Sequence, residues 1–322
     1  MKEKLLDIFE QNRGKLISGS DIAKRLNVTR AAVNKGVNAL RNQGYVFDAT
    51  SRLGYIFSEK NDILSSCGIN KYMGTNKKNI LYLDEVDSTN TTVKSLAQEG
   101  AQEGTVVVTE MQTGGKGRLG KQFFSPKGCG VYFSLLLRPQ QKAADSVLIT
   151  VAAAVAVRRA VKELLNIDVQ IKWVNDVYYN NKKLCGILTE ASIEIESGYL
   201  NYAIVGIGIN IKEPENGYPK EFAFKATNLS ALTPNRPNDF KNKLVAAVIK
   251  QFDTMYETLE QKAYMKEYKA ASCLLGKKIE ILSGPYIGTA TAEDIDNDAN
   301  LVVRLPDGQI VCLNSGDVSI SI

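Results

Sequence analysis

The amino-acid sequence predicts an α+β protein of several domains, with an N-terminal winged helix-turn-helix, a central β-sheet with helices, and a small C-terminal β barrel. Its 322 residues are roughly two to three times the length of a typical domain, so a single core is not expected. Residues 1–60 combine helical spacing with a hairpin pattern, and residues 275–322 alternate apolar and polar side chains. We place the winged helix at 1–60, a linker at 61–78, the central domain at 79–270 and the C-terminal domain at 271–322.

Composition restricts the chemistry open to this chain. It contains no histidine, which excludes Ser-His-Asp and Cys-His catalysis and His-ligated metals. Its five cysteines form no CxxC pair and are odd in number, which argues against a disulfide framework and for a reducing compartment. The longest apolar run, Val147 to Val157, is shorter than the roughly 20 residues that a bilayer requires. With no signal peptide pattern at its start, we expect a soluble cytoplasmic protein without membrane contact.

The net positive charge lies in the N-terminal block. Residues 1–60 hold 11 Lys and Arg against 6 Asp and Glu, which accounts for the whole net charge of +5. An excess confined to one terminal block suggests a nucleic-acid footprint, although a solvated basic surface would show the same charge. The pattern of side chains within the block has to decide between these.

Two helices in this block are joined by a three-residue turn. Ser18 to Asp21 offers an N-cap for the first helix, and Thr29 offers one for the second. The second helix turns its apolar residues inward and presents a polar, basic outer face. This is the helix-turn-helix arrangement, whose second helix fits a major groove. We expect DNA contacts from Ser20, Thr29, Arg30, Asn34, Lys35, Asn38 and Arg41.

Two short β-type runs, at 45–47 and 55–57, follow the second helix. They predict a hairpin, or wing, with Arg52 at its tip to meet a phosphate backbone. The alternative is a structural three-helix bundle, and the combination of wing and basic helix favours DNA binding. Gly36 inside the second helix costs roughly 1 kcal/mol relative to Ala, and a close approach to DNA is one explanation for it.

The segment Gly114 to Lys121 (GGKGRLGK) is the most informative part of the central region. It has the spacing of a dinucleotide-binding fingerprint and nearly that of a P-loop, but both motifs require a helix to begin immediately. The following residues, QFFSPKG, are broken by proline and glycine, so no helix is expected. What remains is a flexible loop that carries Lys116, Arg118 and Lys121 and is suited to closing over an anion.

Polar side chains also recur at the ends of the expected central strands. Ser88 to Asn90, Asn175 with Asp176, Lys183 and Asn210 all occupy such positions. Each has an ordinary interpretation as strand-end polarity, but together they predict a sheet rim rich in cations and amides and poor in acid–base groups. Such a rim suits nucleotidyl transfer to a carboxylate, because that nucleophile is already ionised and the reaction needs alignment and charge neutralisation.

In this order and spacing the segments resemble the biotin protein ligases, specifically the bifunctional kind that also represses the biotin operon. The resemblance covers essentially the full length of the chain. It implies a central mixed β-sheet of the class II synthetase type and an SH3-like C-terminal barrel. The motifs that carry it are SGSDI and TRAAVNK in the winged helix, STN at 88–90, Gln112 with GKGRLGK, KWVND, KLCG, GIGIN and the terminal SGDVS.

The resemblance implies biotin–[acetyl-CoA-carboxylase] ligase activity in two steps. Biotin and ATP, with Mg²⁺, give biotinyl-5′-AMP and pyrophosphate, and the biotinyl group then passes to a lysine of a biotin carboxyl carrier protein of acetyl-CoA carboxylase or another biotin enzyme. The adenylate is also the corepressor, since it promotes a homodimer that binds operator DNA.

Site residues follow from the resemblance position by position. Biotin contacts are implied for Ser88, Thr89, Asn90, Gln112, Lys116, Gly117, Arg118 and Lys183. ATP or adenylate contacts are implied for Gly115, Arg118, Lys121, Phe123, Asn175, Lys183 and Asn210. Arg118, Lys183 and Asp176 are the expected catalytic residues, with Asp176 as the proton acceptor in the transfer step and as a candidate Mg²⁺ ligand.

Two other functions remain open at this point. One is a sensor that binds a small anion without catalysis, and the other is a lipoate ligase, which shares the adenylation chemistry. Lys183 and Arg118 argue against the sensor, because a sensor does not require cations directed at an α-phosphate. The basic glycine loop and the N-terminal module favour biotin over lipoate. The C-terminal domain could serve ATP docking, carrier docking or stability. Lys116 and Lys121 stand where the family usually has arginine, and Phe123 stands where tryptophan is common.

Overall fold

A computed structural model describes residues 1–48, 53–142, 145–194, 196 and 198–320, and the chain divides into two compact units. Unit 1 comprises Met1–Tyr82 and Asn235–Ala247, and unit 2 comprises Leu83–Pro234 and Val248–Ile322. Unit 1 contains α1 (Lys2–Gln11), β1 (Leu16–Ile17), α2 (Gly19–Leu26), α3 (Arg30–Asn42), β2 (Phe47–Asp48), β3 (Tyr55–Phe57), α4 (Ser66–Met73) and β4 (Ile80–Tyr82).

The helix-turn-helix of unit 1 follows from its caps. The Ser18 hydroxyl accepts a hydrogen bond from the Asp21 amide at the start of α2, and the Thr29 hydroxyl accepts one from the Ala32 amide at the start of α3. Asn27, in the left-handed conformation, ends α2. Strands β1, β3 and β2 form an antiparallel sheet in that order. The predicted winged helix is confirmed, while Arg52, predicted at the wing tip, lies outside the described residues.

Gly36 has a packing role rather than a DNA role. It is buried in α3, and a Cβ at this position would lie 2.6 Å from Leu5 Cδ2 of α1. The glycine therefore lets α1 approach α3 closely, and the explanation by a close approach to DNA is wrong.

Unit 1 also contains a buried ion network, formed by Glu10, Arg13 and Asp239. Arg13 Nε lies 2.7 Å from Glu10 Oε2, and Arg13 Nη2 lies 2.8 Å from Asp239 Oδ1. The three side chains are 0%, 7% and 1% exposed, respectively. Burial raises the pKa of Asp239 to about 6, although Arg13 pulls it in the opposite direction. The network joins the end of α1 to the residue before α8 (Phe240–Tyr256).

Unit 2 holds the central sheet. Its elements up to α8 are α5 (Thr89–Gln98), β5 (Val106–Thr109), β6 (Gly130–Leu137), α6 (Ser146–Leu165), β7 (Gln170–Lys172), β8 (Asp176–Tyr179), β9 (Lys182–Ile193), β10 (Leu200–Asn210) and α7 (Leu229–Leu232). Six strands of this unit lie in one sheet in the order β5-β6-β10-β9-β8-β7. Thr189 contacts α6 and its neighbour Glu190 contacts α5. Because successive strand residues point to opposite faces, α5 and α6 cover opposite faces of the sheet.

The C-terminal part of unit 2 follows α9 (Met265–Ala270) and is a five-stranded antiparallel sheet. It contains β11 (Lys278–Ile281), β12 (Gly288–Ile295), β13 (Leu301–Arg304), β14 (Ile310–Leu313) and β15 (Val318–Ile320), in the order β14-β13-β12-β11-β15. The Trp173 indole is buried and donates to the Ala299 carbonyl at 2.8 Å, which ties this sheet to the end of β7. The three-part α+β fold is confirmed, whereas the boundaries at 60, 78 and 270 remain predictions.

Within the described residues, none of the helices combines the length and the apolar character needed to cross a bilayer.

Candidate functional site

A cleft opens on the α5 face of the central sheet. On its sheet side the cleft is lined by Gly206 and Gly208 of β10. These glycines lie opposite Ser134 and Tyr132 of β6. The lining residues are Ser88, Thr89, Asn90, Gln112, Lys116, Gly117, Arg118, Phe123, Tyr132, Asn175, Lys183, Gly186, Ile187, Leu188, Gly206, Ile207 and Gly208.

Ser88 and Thr89 reach the cavity because α5 starts there. Ser88 is the N-cap residue of α5, but its hydroxyl does not cap the helix. The Gln112 side-chain oxygen lies 2.9 Å from the Thr89 amide nitrogen and 3.1 Å from the Thr89 hydroxyl. The Gln112 amide nitrogen donates to the Ser125 hydroxyl at 3.0 Å. This end of the cavity is therefore a set of neutral donors and acceptors in fixed directions.

The glycine loop crosses the cavity without forming an α-helix, as expected. It contains a 3-10 turn at Arg118–Gly120, in which Leu119 is left-handed, and a bridge between Lys116 and Gln122. The Lys116 ammonium donates to the Thr91 hydroxyl at 2.9 Å, and Arg118 donates to the Asn175 side chain at 3.2 Å. The loop thus attaches its cations to α5 on one side and to the residue before β8 on the other.

Phe123 explains the glycines on two strands. A Cβ at Gly208 would lie 2.6 Å from the Phe123 ring, and one at Gly186 would lie 2.8 Å from it. The ring also contacts Tyr132 edge-on, with centroids 6.2 Å apart. The Lys183 ammonium lies 5.6 Å from the Phe123 ring centroid, within cation–π range. The aromatic side chain therefore supports Lys183 at the cavity wall.

Lys183 is paired with Asp176 across neighbouring strands β9 and β8. The ammonium lies 2.7 Å from Asp176 Oδ1, and the two side chains are 30% and 17% exposed. Beside them, the Asn175 amide donates to the Ile187 carbonyl at 2.7 Å, so its oxygen is directed at Arg118. Burial lowers the pKa of nearby Lys172, which faces Asp176 in the strand register. An anion entering here would meet Lys183 and Arg118.

Two residues expected to contact the adenylate, Lys121 and Asn210, are not among the lining residues. Lys121 forms an ion pair with Asp317 of the C-terminal sheet and is not among the lining residues. The Asn210 amide donates to the Thr227 carbonyl at 3.0 Å and holds that loop. Trp173 of the KWVND motif is buried against the C-terminal sheet. Spacing along a strand end does not specify which neighbour a side chain meets.

The residues that the structure describes do not form a metal site of their own. Among the side chains that the structure describes, no group of three or more His, Cys, Asp or Glu could hold a metal ion. The candidate Mg²⁺ ligand Asp176 is already paired with Lys183. We therefore derive no step through a protein-held metal.

The predicted DNA-binding side chains lie on one exposed helix face. Arg30, Asn34, Lys35, Asn38 and Arg41 are all exposed on α3. Asn38 donates to Asn34 at 3.2 Å and Arg41 donates to Asn38 at 3.3 Å, so three of them form a chain along the helix. Ser20 is exposed on α2, and the Thr29 hydroxyl serves as the N-cap of α3. The face has the side chains that base and phosphate contacts require.

Several groups around the cavity were not predicted from the sequence. Ser134 of β6 and Glu190 of β9 both contact Asn90, and Thr91 contacts Lys116. Ser134 is the one small polar residue in the otherwise apolar strand GVYFSLLL, and this is the signal that could have revealed it. The arrangement can bind an uncharged polar group at α5 and an anion at Lys183 and Arg118, with few groups that could move protons.

Comparison with known proteins finds family matches in three parts of the chain. The biotin/lipoate A/B protein ligase family matches residues 82–210. The HTH domain family matches residues 2–56, and the biotin protein ligase C terminal domain family matches residues 274–321. The bifunctional ligase/repressor BirA of Bacillus subtilis is 32% identical over 99% of this chain and 98% of its own length. The BirA protein of Escherichia coli is 25% identical over 95% of this chain and 94% of its own length.

A solved structure shares the fold. The biotin protein ligase from Aquifex aeolicus in complex with biotin and ATP superimposes with a TM-score of 0.65 at 28% identity. The match covers 76% of this chain and 100% of the Aquifex chain.

Proposed function

The chain belongs to the family of bifunctional biotin protein ligases and repressors, and from this premise we propose how its residues divide the work. It is an ATP-dependent biotin–[acetyl-CoA-carboxylase] ligase and a DNA-binding repressor. Its substrates are biotin and ATP. The observation that carries the proposal is the cavity itself, where neutral hydrogen-bonding groups at Thr89 and Gln112 lie at one end and cations at Lys183 and Arg118 lie at the other.

In the first step the biotin carboxylate attacks the α-phosphorus of ATP, a C–O–P bond forms, and pyrophosphate leaves. The nucleophile is ionised at neutral pH, so no general base is needed. Lys183 and Arg118 neutralise the charge that builds up as the carboxylate and the α-phosphate meet. Lys183 exchanges part of its interaction with Asp176 for the incoming anion, and the support of Phe123 keeps the ammonium in place.

In the second step a lysine amine of the carrier protein attacks the biotinyl carbonyl carbon. An amide bond forms, the acyl–phosphate bond breaks, and AMP leaves with the electron pair. The ammonium formed by attack must lose a proton, and Asp176 is the acceptor that we assign. Without histidine in the chain, the carboxylate that pairs with the cavity residue Lys183 is the available base.

Ser88, Thr89, Asn90, Gln112, Lys116 and Gly117 surround the biotin end in this proposal, and Gly115, Phe123 and Asn175 belong to the adenylate end. Lys121 and Asn210 act indirectly, through Asp317 and Thr227. The carrier is a biotin carboxyl carrier protein, and the adenylate promotes a homodimer whose α3 helices bind operator DNA.

Release of pyrophosphate from ATP by the full-length chain, with biotin or with lipoate as the acid, tests the ligase assignment. Turnover with biotin and none with lipoate is the expected result. Absence of turnover with biotin would overturn it. Sedimentation of the protein with and without biotin and ATP tests the dimer, which we expect with both substrates present and not with either alone.

A further inference from the structure

The last cation of the glycine loop points away from the cavity. The Lys121 ammonium forms an ion pair with the Asp317 carboxylate, and the two side chains are 63% and 29% exposed. Asp317 directly precedes β15, and both of its backbone groups are hydrogen-bonded to the turn after β11. Its N–H donates to the Ser283 hydroxyl at 2.9 Å, and its carbonyl accepts from the Leu282 N–H at 2.8 Å. The C-terminal sheet therefore offers the loop a carboxylate in a fixed position.

The same carboxylate acts on a second cation. Lys172 ends β7, and its ammonium lies 5.5 Å from the Tyr178 ring centroid. Burial lowers the pKa of Lys172, and the Asp176 and Asp317 carboxylates oppose this effect. Asp317 therefore attracts one cation of the central sheet and one of the loop. Charges of alternating sign run from the cavity wall to the loop, in the order Lys183, Asp176, Lys172, Asp317 and Lys121.

Lys121 is bonded through its backbone to the part of the loop that faces the cavity. Its carbonyl accepts from the Gly117 N–H at 2.7 Å, and its N–H donates to the Arg118 carbonyl at 3.1 Å. Gly117 and Arg118 both line the cavity, whereas Lys121 is not among the lining residues. A restraint on Lys121 is therefore passed directly to the two residues that would cover a ligand.

The other two cations of the loop provide a weaker restraint once a ligand is bound. Lys116 and Arg118 are hydrogen-bonded to side chains of the central domain, but both of them line the cavity. An anion inside the cavity competes with those side chains for the two cations. The pair of Lys121 with Asp317 lies outside the cavity, so the ligand does not compete for it. This ion pair is therefore the attachment of the loop that persists when an anion is bound.

We propose that Asp317 is a positioning residue that holds Lys121, and with it the glycine loop, closed over biotinyl-5′-AMP until the carrier lysine arrives. The inference rests on the proposed function and deepens it, because it gives the C-terminal sheet a part in retaining the intermediate. An acyl-adenylate that escapes reacts with water or with unselected amines, so a closed loop determines how much of it reaches the carrier. Asp317 itself does not contact the ligand in this arrangement.

The first test removes the charge of Asp317. Full-length protein is loaded with radiolabelled biotinyl-5′-AMP, and release of the label is followed after addition of excess unlabelled adenylate. Asp317→Asn should release the adenylate roughly 3- to 5-fold faster than wild type, which is the size expected for an exposed ion pair. The rate constant of adenylate formation should change by less than about twofold, because the pair lies outside the cavity. Equal release rates for wild type and Asp317→Asn would overturn the proposal.

Two further variants distinguish a restraint on the loop from a general loss of stability. Asp298→Asn is the matched control, because it breaks an ion pair of 2.6 Å that joins the C-terminal sheet to Lys262, before α9, and does not involve the loop. It should release the adenylate at the wild-type rate. Asp317→Glu keeps the charge, and the exposed Lys121 side chain can follow a longer carboxylate, so release within about twofold of wild type is expected. If Asp298→Asn accelerated release as much as Asp317→Asn, weaker docking of the C-terminal sheet would be the cause and the proposal would be wrong.

A double-mutant cycle tests whether Asp317 acts through Lys121. Lys121→Met alone should release the adenylate about as fast as Asp317→Asn, and the double variant should release it no faster than either. Additive effects would contradict the proposal, because Asp317 would then act by another route. A wild-type release rate for Lys121→Met would also contradict it, even if Asp317→Asn does not fold. A wild type that forms no adenylate from biotin and ATP refutes the proposed function, whereas variants that retain the adenylate as well as an active wild type refute this inference alone.

Discussion

The ion network of unit 1 and the hydrogen-bond chain beneath the cavity of unit 2 bury polar groups in opposite ways. Glu10 and Asp239 are charged, and each pairs with Arg13. Thr89 and Ser134 are neutral, and their hydrogen bonds end at a group that faces open space. A buried charge without partners costs far more free energy than a neutral hydroxyl with one unused lone pair. In unit 1, buried charges hold elements together. In unit 2, a buried hydroxyl contacts a hydroxyl that lines the cavity and so restricts its orientation.

The cations of the two regions differ in the same sense. The Arg13 side chain is 7% exposed and has two carboxylate partners, while Lys183 is 30% exposed and has one. A partly solvated ammonium with a single partner can exchange it for a substrate anion, and a buried guanidinium with two partners cannot. Arg13 is therefore a cation used for stability, and Lys183 is one that a substrate can engage.

The largest effect is expected for Arg13→Met. It leaves Asp239 buried without its countercharge and leaves Glu10 with only Lys71, whose ammonium lies 4.0 Å from Glu10 Oε2. Breaking a buried pair in this way costs about 3–5 kcal/mol. Urea unfolding of the full chain should show this loss, and Lys15→Met, which changes an exposed cation nearby, should change the free energy of unfolding by less than about 0.5 kcal/mol. A loss below about 1 kcal/mol for Arg13→Met would mean that the network is not a source of cohesion.

Lys183→Ala should affect the reaction rather than the fold. We expect kcat for adenylate formation to fall roughly 10²- to 10³-fold, because the ammonium stabilises charge that develops in the transition state. The Kd for biotin should change only a few-fold. Lys182→Ala, at the exposed neighbouring position, is the control. Equal losses in binding and in kcat would show that Lys183 holds ground-state substrate instead.

Asp239→Asn tests the ion network through pH. Burial raises the pKa of Asp239 to about 6, above its ordinary value of 3.8, so the folded protein takes up this proton more readily than the unfolded chain. The ionised carboxylate therefore costs stability above pH 6, and the cost disappears as the pH falls towards 4. Asparagine has no such cost and tolerates the left-handed conformation found at this position.

Asp239→Asn should therefore stabilise the folded protein, relative to wild type, by about 2 kcal/mol more at pH 7.5 than at pH 4.5. Unfolding at a series of pH values measures the difference. A constant difference across this range would show that Asp239 titrates normally.

Local patterns in the sequence were sufficient to predict much of this molecule. The caps at Ser18 and Thr29 and the periodicity between them predicted the winged helix, because these signals act within one or two turns. Glycines and cations at 114–121 predicted a loop over an anion site, and the structure brings Arg118 to Lys183 in one cavity.

Contacts between distant segments could not be predicted in the same way. The pairing of Arg13 with Asp239, the direction of Lys121 towards Asp317 and the need for Gly36 opposite Leu5 depend on which elements meet. A lone serine in an apolar strand is compatible with burial or exposure. The contacts of Ser134 with Asn90 and Thr89 could therefore not be predicted from the sequence.

The smallest expected effect concerns charges that are neither buried nor in a cavity. Arg30 and Lys35 are exposed on α3, where their interactions with phosphates would be screened by salt. If both contact the backbone, Arg30→Ala with Lys35→Ala should weaken binding to operator duplex by roughly tenfold. It should also reduce the slope of log K against log salt by about 1.8, since each phosphate contact contributes about 0.9. Lys277→Ala with Lys278→Ala removes the same charge from the exposed start of the C-terminal sheet and should leave the slope unchanged. Equal slopes for the two double variants would show that long-range charge, rather than the α3 face, drives DNA binding.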